Sequence, residues 1–391
     1  MAELNESKDC ILFSTADWDT PYWTNKQHTA RHLAKRGYRV LYVETIGLRT
    51  PTLNRRDMRR VWRRLGRGLN FPRLVEPCIW VMSPLTLPFK HHWRIVRRIN
   101  QGVMRWSIKR FIRRIRFSAP MIWTYHPFVL EALQGIAYSK LVYHCVDDLS
   151  AVPGVDVVAF NAEEKRLLDK ANAVFTTSDV LQEKCRIWNA DTYCFPNVAD
   201  VEHFGRAREM GLVPNDIATI PHPRLGYVGV LSAYKVDFPM ILTIARCRPD
   251  WHWVFIGEKR EGEASEALAE LATLPNAHFL GYRPYNDLPD YLRGFDIATL
   301  PTLINDYTKS MFPMKYFEYL AAGLPIVATP LEFTKRFHEF TEIGADRQSF
   351  ISATTTQIKR GRLSDSEAIN VLGDNTWERR LEKMLAVVGR N

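Results

Sequence analysis

Between Phe295 and Thr329 the chain reads FDIATLPTLINDYTKSMFPMKYFEYLAAGLPIVAT, and this stretch limits what the chain can fold into. It opens with an apolar run, Ile297 to Leu300, short enough for a buried parallel strand, and closes with a second, Ile326 to Ala328. Pro313 suits the first turn of a helix, where a missing N–H costs little. Gly323 suits the left-handed end, and Pro325 prevents the helix from resuming. The spacing predicts one helix, about Met314 to Ala322, and with it a βαβ unit. Met314, Phe317, Leu320 and Ala321 recur at helical spacing and can pack on a sheet. Lys315, Glu318 and Tyr319 share another face, at i, i+3 and i+4.

A cation and a carboxylate on one groove suit a nucleoside diphosphate. Free N–H groups at the helix start favour an anion beside Lys315, and Glu318, about 5 Å further on, can accept hydrogen bonds from ribose hydroxyls. A surface Lys–Glu pair on an amphipathic helix fits the spacing equally well. PMKYFEYLAAGLPIVAT, however, resembles the donor motif of GT-B glycosyltransferases, Pro-x-Lys-x-x-Glu-Tyr-Leu-Ala-x-Gly-x-Pro followed by an apolar strand. The resemblance implies an α/β chain with two Rossmann-like domains facing a cleft and a C-terminal helix that crosses back to domain one.

Length agrees with two domains, since 391 residues exceed one ordinary core. No apolar run reaches about 18 residues, and Met1 to Asp9 is too polar to begin a secretory signal, which predicts a cytoplasmic protein. The six cysteines form no CxxC pair, so reduced and mostly buried thiols are expected. The net charge of +10 is local: residues 55–116 carry +16 and the remainder −6. From Lys90 to Arg116 there are ten Lys or Arg and no acid. Trp93, Val96, Ile99, Val103, Trp106, Ile108, Phe111, Ile112 and Ile115 recur there at spacings of mainly three and four, which predicts a basic amphipathic helix. Packing on a sheet explains part of the apolar stripe. It does not explain the missing acids, which ordinary surface helices use for i, i+4 pairs. An anionic membrane surface is the expected partner. Nucleic acid, which the charge alone would also attract, is not expected.

Along the chain, CILFST reads as a first strand, followed by a helix ending near Gly37 and a strand from Arg39 to Glu44. No GxGxxG follows the first strand, so a dinucleotide cofactor is not expected. Residues 55–117 read as a basic insertion in domain one, which runs to residue 205. A polar linker is expected over 206–223, a second domain over 224–372 beginning with RLGYVGVL, and a C-terminal helix within 373–391.

The GT-B resemblance extends to GYVGVL and to GYRPYNDLPDYL, and the donor set it implies is Lys315, Glu318, Tyr319, Met314, Gly229, Val230, Tyr282 and Ser310. Glycines in the Gly226–Gly229 turn would let backbone approach a phosphate. Retaining GT-B families place a second glutamate eight positions before the one in the helix, and here that position is Ser310, which favours inversion. DWDTPYWTNKQHTARHLAKRG and LVYHCVDDLSAV further resemble the membrane-associated glucuronosyltransferases of xanthan-type synthesis and the teichuronic-acid glycosyltransferases. That resemblance implies Asp147 as general base. Asp147 also follows an apolar strand and so stands at a sheet's carboxyl edge, although Asp147 or Asp148 could equally cap the next turn. His126 and His144 are alternative bases, each with a structural reading. Asp17, Trp18, Asn25, His28 and His126 form the expected acceptor set, with Trp18, Tyr22 and Trp23 able to stack on a sugar or simply pack the loop. Asp17-Trp18-Asp19 spells a DxD, but helix capping or acceptor contact suits it better than a metal. The chain is thus expected to move a sugar from a nucleoside diphosphate, UDP-linked, to a lipid-linked or glycan acceptor without a cofactor or metal, at the inner face of the cell membrane. A sugar-nucleotide epimerase of the same fold, or a basic nucleic-acid-binding protein, are the alternatives.

Overall fold

The structure, a computed structural model, describes residues 8–20, 23–44, 71–84, 94–152, 154–259 and 265–390, with backbone alone at 94–97. Tyr22, Trp93 and the arginine-rich run at 55–67 lie outside the described residues. The chain divides into two compact units, one of Met1–Phe195 with Leu381–Asn391 and one of Pro196–Arg380.

Unit one carries eight strands: β1 (Asp9–Ser14), β2 (Arg39–Glu44), β3 (Arg73–Glu76), β4 (Ile79–Met82), β5 (Met121–Thr124), β6 (Leu141–Cys145), β7 (Ala173–Thr176) and β8 (Thr192–Cys194). Their order is β3-β4-β2-β1-β5-β6-β7-β8, all parallel except the β3–β4 pair. β1, β5, β6 and β7 are buried along their whole length, as continuous apolar runs covered on both faces must be. The expected insertion is not a pure interruption. β3 and β4 extend the sheet beyond β2, turning at Cys78, whose φ is +64°. The basic helix is present as Arg94–Ile115, but its buried residues are Asn100, Met104, Ile108 and Phe111, while Ile99 and Trp106 are exposed. The apolar stripe is therefore two stripes on opposite faces.

Unit two carries β9 (Arg224–Val228), β10 (His252–Ile256), β11 (Ala277–Gly281), β12 (Ile297–Leu300), β13 (Ile326–Ala328) and β14 (Thr341–Ile343), parallel in the order β11-β10-β9-β12-β13-β14. The segment expected as a linker belongs to this unit. Ala207, Ile217 and Ile220 are buried in the same cluster as Phe317 and Leu320, so the segment packs as part of that core. The C-terminal helix is Trp377–Arg390, and from Leu381 it belongs to unit one, where Leu381, Met384 and Val388 join the core of Leu12, Tyr42 and Trp123. Among the cysteines, Cys10, Cys145 and Cys185 are buried but Cys78 and Cys247 are exposed, so burial is less general than expected. Among the described residues no helix is long and apolar enough to cross a membrane.

Each sheet reverses its winding once. In unit one the reversal lies between β1 and β5, and in unit two between β9 and β12. The crevice outside the carboxyl ends of those strands is where open α/β sheets take ligands.

Candidate functional site

In unit two the helix Lys315–Ala321 follows β12, one residue shorter at each end than expected. Its C-terminus closes as the sequence suggests. Gly323 takes φ +74° and its N–H donates to the Leu320 carbonyl at 3.0 Å, while the Leu324 N–H donates to Tyr319 at 2.9 Å, a Schellman end. Phe317, Leu320 and Ala321 are buried, leaving Lys315 and Glu318 half-buried on the outer face. The helix has only seven residues, so its dipole is short and side chains must supply most of any anion attraction.

Lys315 supplies it by lying across the end of β9. A Cβ built on Gly229 would stand 2.4 Å from the Lys315 Cε and 2.7 Å from its Nζ, and Gly229 has φ +142°. The glycine therefore makes room for the lysine. Gly226 differs again: it lies within β9, and a Cβ there would strike the Phe295 ring at 1.9 Å. The Lys315 ammonium also stands 5.6 Å from the centroid of the Tyr227 ring. One strand over, a Cβ on Gly257 would fall 1.9 Å from the Gly229 carbonyl oxygen, so the ends of β9 and β10 pack without side chains.

Burial, opposed by Glu318 and reinforced by Lys235, pulls the Lys315 pKa down. Burial, opposed by Lys315 and reinforced by Asp200, pushes Glu318 up to about 7. The two groups attract one another, yet desolvation outweighs that attraction for both. Lys235 was not singled out in the sequence, because loop residues carry no period. Its Nζ stands 5.2 Å from the ring centroids of both Tyr234 and Tyr307, and its loop pairs with the one after β12 through Val236 and Thr302. Its place six residues beyond Gly229, in the loop at the end of a switch-point strand, was the available signal. Two neighbouring ammonium groups disfavour each other's charge in the empty protein, and an anion relieves that cost.

The remaining donor candidates divide. Tyr319 does not share the outer face: it is buried, and its hydroxyl accepts the Val228 N–H at 2.9 Å. It positions the end of β9 that carries Gly229, because the sheet-facing arc of the helix is wider than the spacing implied. Met314 and Val230 are half-buried beside Lys315 and Gly229 in sequence, and the Val230 carbonyl accepts the Tyr227 hydroxyl at 3.3 Å. Tyr282 is half-exposed just beyond β11, its carbonyl accepting from Arg283 at 2.9 Å. Ser310 is buried, and its hydroxyl donates to the Tyr307 carbonyl at 3.1 Å.

In unit one Asp147 is half-buried two residues past β6, with its carbonyl accepting the Leu149 N–H at 3.0 Å. Asp148 is committed to structure. Burial would raise its pKa, but hydrogen bonds from Ser150 and the Lys184 ammonium, 2.9 Å away, hold it below the usual value. His126, past the end of β5, accepts the Phe128 N–H at Nδ1, at 3.2 Å. A backbone N–H can only donate, so the ring proton sits on Nε2, a buried atom with no hydrogen-bond partner among the described residues. Burial lowers its pKa to about 4. His126 is thus a neutral donor near neutral pH, and its one basic nitrogen is occupied, which removes it as a general base. His144 is buried, stacked on Tyr125 at 4.9 Å.

The expected acceptor loop is mostly interior. Trp18 packs edge-on against Trp23 and Tyr42, at 5.5 and 5.1 Å, and its backbone N–H donates to the Glu44 carboxylate at 2.7 Å. It anchors the loop instead of offering a face to a sugar. Asn25 and His28 are buried, with the Asn25 carbonyl accepting from Tyr125 at 3.2 Å. Asp17 is half-buried, its carbonyl accepting from Gln27 at 3.0 Å, and Asp19 pairs with Arg73. What the fold brings to one sheet edge is the neighbouring ends of β1, β5 and β6, hence Asp17, His126 and Asp147.

Residues 222–355 match the family glycosyl transferases group 1. Over 184 residues the chain is 28% identical to the Bacillus subtilis (strain 168) protein named "Putative teichuronic acid biosynthesis glycosyltransferase TuaH", a match that spans 45% of each chain, under half of the relative's length. Among solved structures, Anabaena Alr3699/HepE in complex with UDP superposes with a TM-score of 0.65 at 14% identity, over 98% of this chain and 100% of that one. A trehalose-6-phosphate synthase, solved in work on enzymatic glycosyltransfer with retention, superposes equally well at 11% identity, over 98% and 99%. Unit two is thus similar, over residues 222–355, to the glycosyl transferases group 1 family, and the chain has the two-unit α/β fold of GT-B glycosyltransferases.

Proposed function

We propose that the chain transfers a sugar from a UDP-linked donor to a lipid-linked or glycan acceptor, and that it does so with inversion and without a metal, at the inner face of a membrane. The observation that carries this reading is the Lys315 ammonium laid across the side-chain-free end of β9, beside Lys235 and one helical turn from Glu318. Two cations suit a leaving diphosphate, which needs positive charge rather than protonation, and a carboxylate at this spacing suits the ribose hydroxyls. Asp147 in unit one takes the role of base toward the acceptor hydroxyl, since Asp148 is held by Lys184 and His126 is a donor. Inversion is supported by Ser310, a buried hydroxyl at the position where retaining relatives of this fold carry a glutamate. A fold relative works with retention, so the stereochemistry must be read from the product. The test is calorimetric titration of UDP and UDP-sugars, followed by proton NMR of the transferred anomer. Lys315→Ala and Glu318→Ala should each weaken donor binding by about 10- to 100-fold, as loss of a hydrogen bond to a charged group implies. Unchanged affinity in both variants would remove the site, a retained anomer would remove Asp147 as the base of an inverting step, and donor epimerisation without transfer would favour the epimerase.

A further inference from the structure

The helix Arg94–Ile115 has two faces with different chemistry. Asn100, Met104, Ile108 and Phe111 are buried in unit one, where Phe111 stacks on Phe71 at 5.7 Å and meets Phe117 edge-on at 5.0 Å. On the opposite side Ile99, Val103 and Trp106 follow at i, i+4 and i+7, with Ile99 48% and Trp106 62% exposed. Lys109, Arg110, Arg113 and Arg114 surround Trp106 in a shallow basin, and the Arg110 guanidinium lies 5.6 Å from its ring centroid. None of Arg98, Lys109, Arg110, Arg113 and Arg114 pairs with a carboxylate among the described residues. Within the described residues, then, neither the charge nor the indole of this face is satisfied.

We infer that this outward face is a docking surface for an anionic lipid bilayer, with Trp106 seated at headgroup level and the surrounding cations on lipid phosphates. Five cations with no carboxylate partner among the described residues select an anionic partner. The Ile99–Val103–Trp106 stripe, about 10 Å long at the rise of an α-helix, selects one that also has an apolar interior, and indoles favour that boundary. A nucleic acid backbone would use the cations and leave the stripe in water. Because the inner face stays packed in unit one, the helix lies along the surface and only its outer residues enter. The inference deepens the membrane location proposed above but stands on exposure and charge, independently of sugar transfer.

The test is co-sedimentation of the full chain with phosphatidylcholine vesicles, with and without phosphatidylglycerol, at low and high salt. Vesicles containing the anionic lipid should capture the protein and neutral ones should not. The triple change Arg110→Gln, Arg113→Gln and Arg114→Gln should weaken capture about 100-fold. Trp106→Ala should weaken it about tenfold, at high salt as at low, because indole burial is not screened. Circular dichroism should match wild type in both variants. UDP binding should also be unchanged in them. If the wild type binds no UDP, the donor reading fails while the vesicle result stands. Equal capture by neutral vesicles, wild-type capture in either variant, or no capture at all would overturn the inference. So would binding of duplex DNA, weakened by the same variants, without binding of vesicles.

Discussion

The two switch points are built from the same parts and end up with opposite surfaces. At the end of β9 side chains are removed: Gly229 and Gly257 leave bare backbone, and the chemistry arrives from a short helix whose buried residues hold Lys315 and Glu318 half-exposed. At the ends of β1, β5 and β6 side chains are added, and Trp18, Asn25, His28 and His126 fill the edge as interior residues. The first arrangement leaves room for a ligand's own charged groups. The second forms a packed floor at which Asp17 and Asp147 stay half-buried. Under the function proposed above, this contrast assigns donor affinity to unit two and proton transfer to unit one.

The sharpest way to break that division is at Asp147. Asp147→Asn keeps shape and removes basicity, so turnover should fall by about 10²- to 10⁴-fold while donor affinity, set in unit two, stays at the wild-type value. Full activity in this variant would move the base elsewhere, and a parallel loss of donor affinity would mean that the two functions are not separate. The next largest effect tests the bare strand end. Gly229→Ala places a methyl where Lys315 now lies, at a φ that L side chains rarely adopt, so it should weaken donor binding about as much as Lys315→Ala, roughly 10- to 100-fold. If the glycine acts through the lysine, the double variant should be little worse than either single one. Additive losses would mean that Gly229 touches the ligand itself.

The contrast also explains what could be read in advance. The donor helix was legible because its ends are fixed by local chemistry, with Pro313 before it and Gly323 and Pro325 after it, and because its flanking strands are short continuous apolar runs. Its inner arc was not. Tyr319 sits at i+4 from Lys315 on a helical wheel, but where a short helix is enclosed on more than one side, spacing alone does not say which flank is covered. Asp147 could be placed from the strand before it, since an apolar run predicts where a sheet edge lies. The burial of Trp18 and His28 depends on Tyr42 and Trp23 closing over them, contacts between distant or irregular segments that leave no period. β3 and β4 escaped notice because they are four residues each within a basic region, and Lys235 because its importance comes from the loop opposite.

The smallest effect concerns the protonation of Glu318, and it sharpens the contrast by testing the electrostatics of the unit-two site alone. In the empty protein burial holds the Glu318 pKa up at about 7, above its ordinary 4.5. A group whose folded pKa is raised contributes stability that is complete below the unfolded value and is lost as pH rises through the folded one. The unliganded wild type should therefore lose thermal stability relative to Glu318→Gln between about pH 5 and 8, with His126, neutral in both proteins, cancelling from the comparison. Donor affinity runs the other way. Ribose hydroxyls donate to the carboxylate form, which is about a tenth of the population at pH 6 and about nine-tenths at pH 8 for a pKa of 7. Affinity should rise by up to about tenfold across that interval, and binding near pH 7 should release about half a proton per site, visible as a buffer-dependent enthalpy in calorimetry. Glu318→Gln should bind more weakly at pH 8 and show neither the pH dependence nor the proton. A flat profile in the wild type would mean that Glu318 is already ionised in the empty site, and that its carboxylate is held by Lys315 more firmly than burial opposes it.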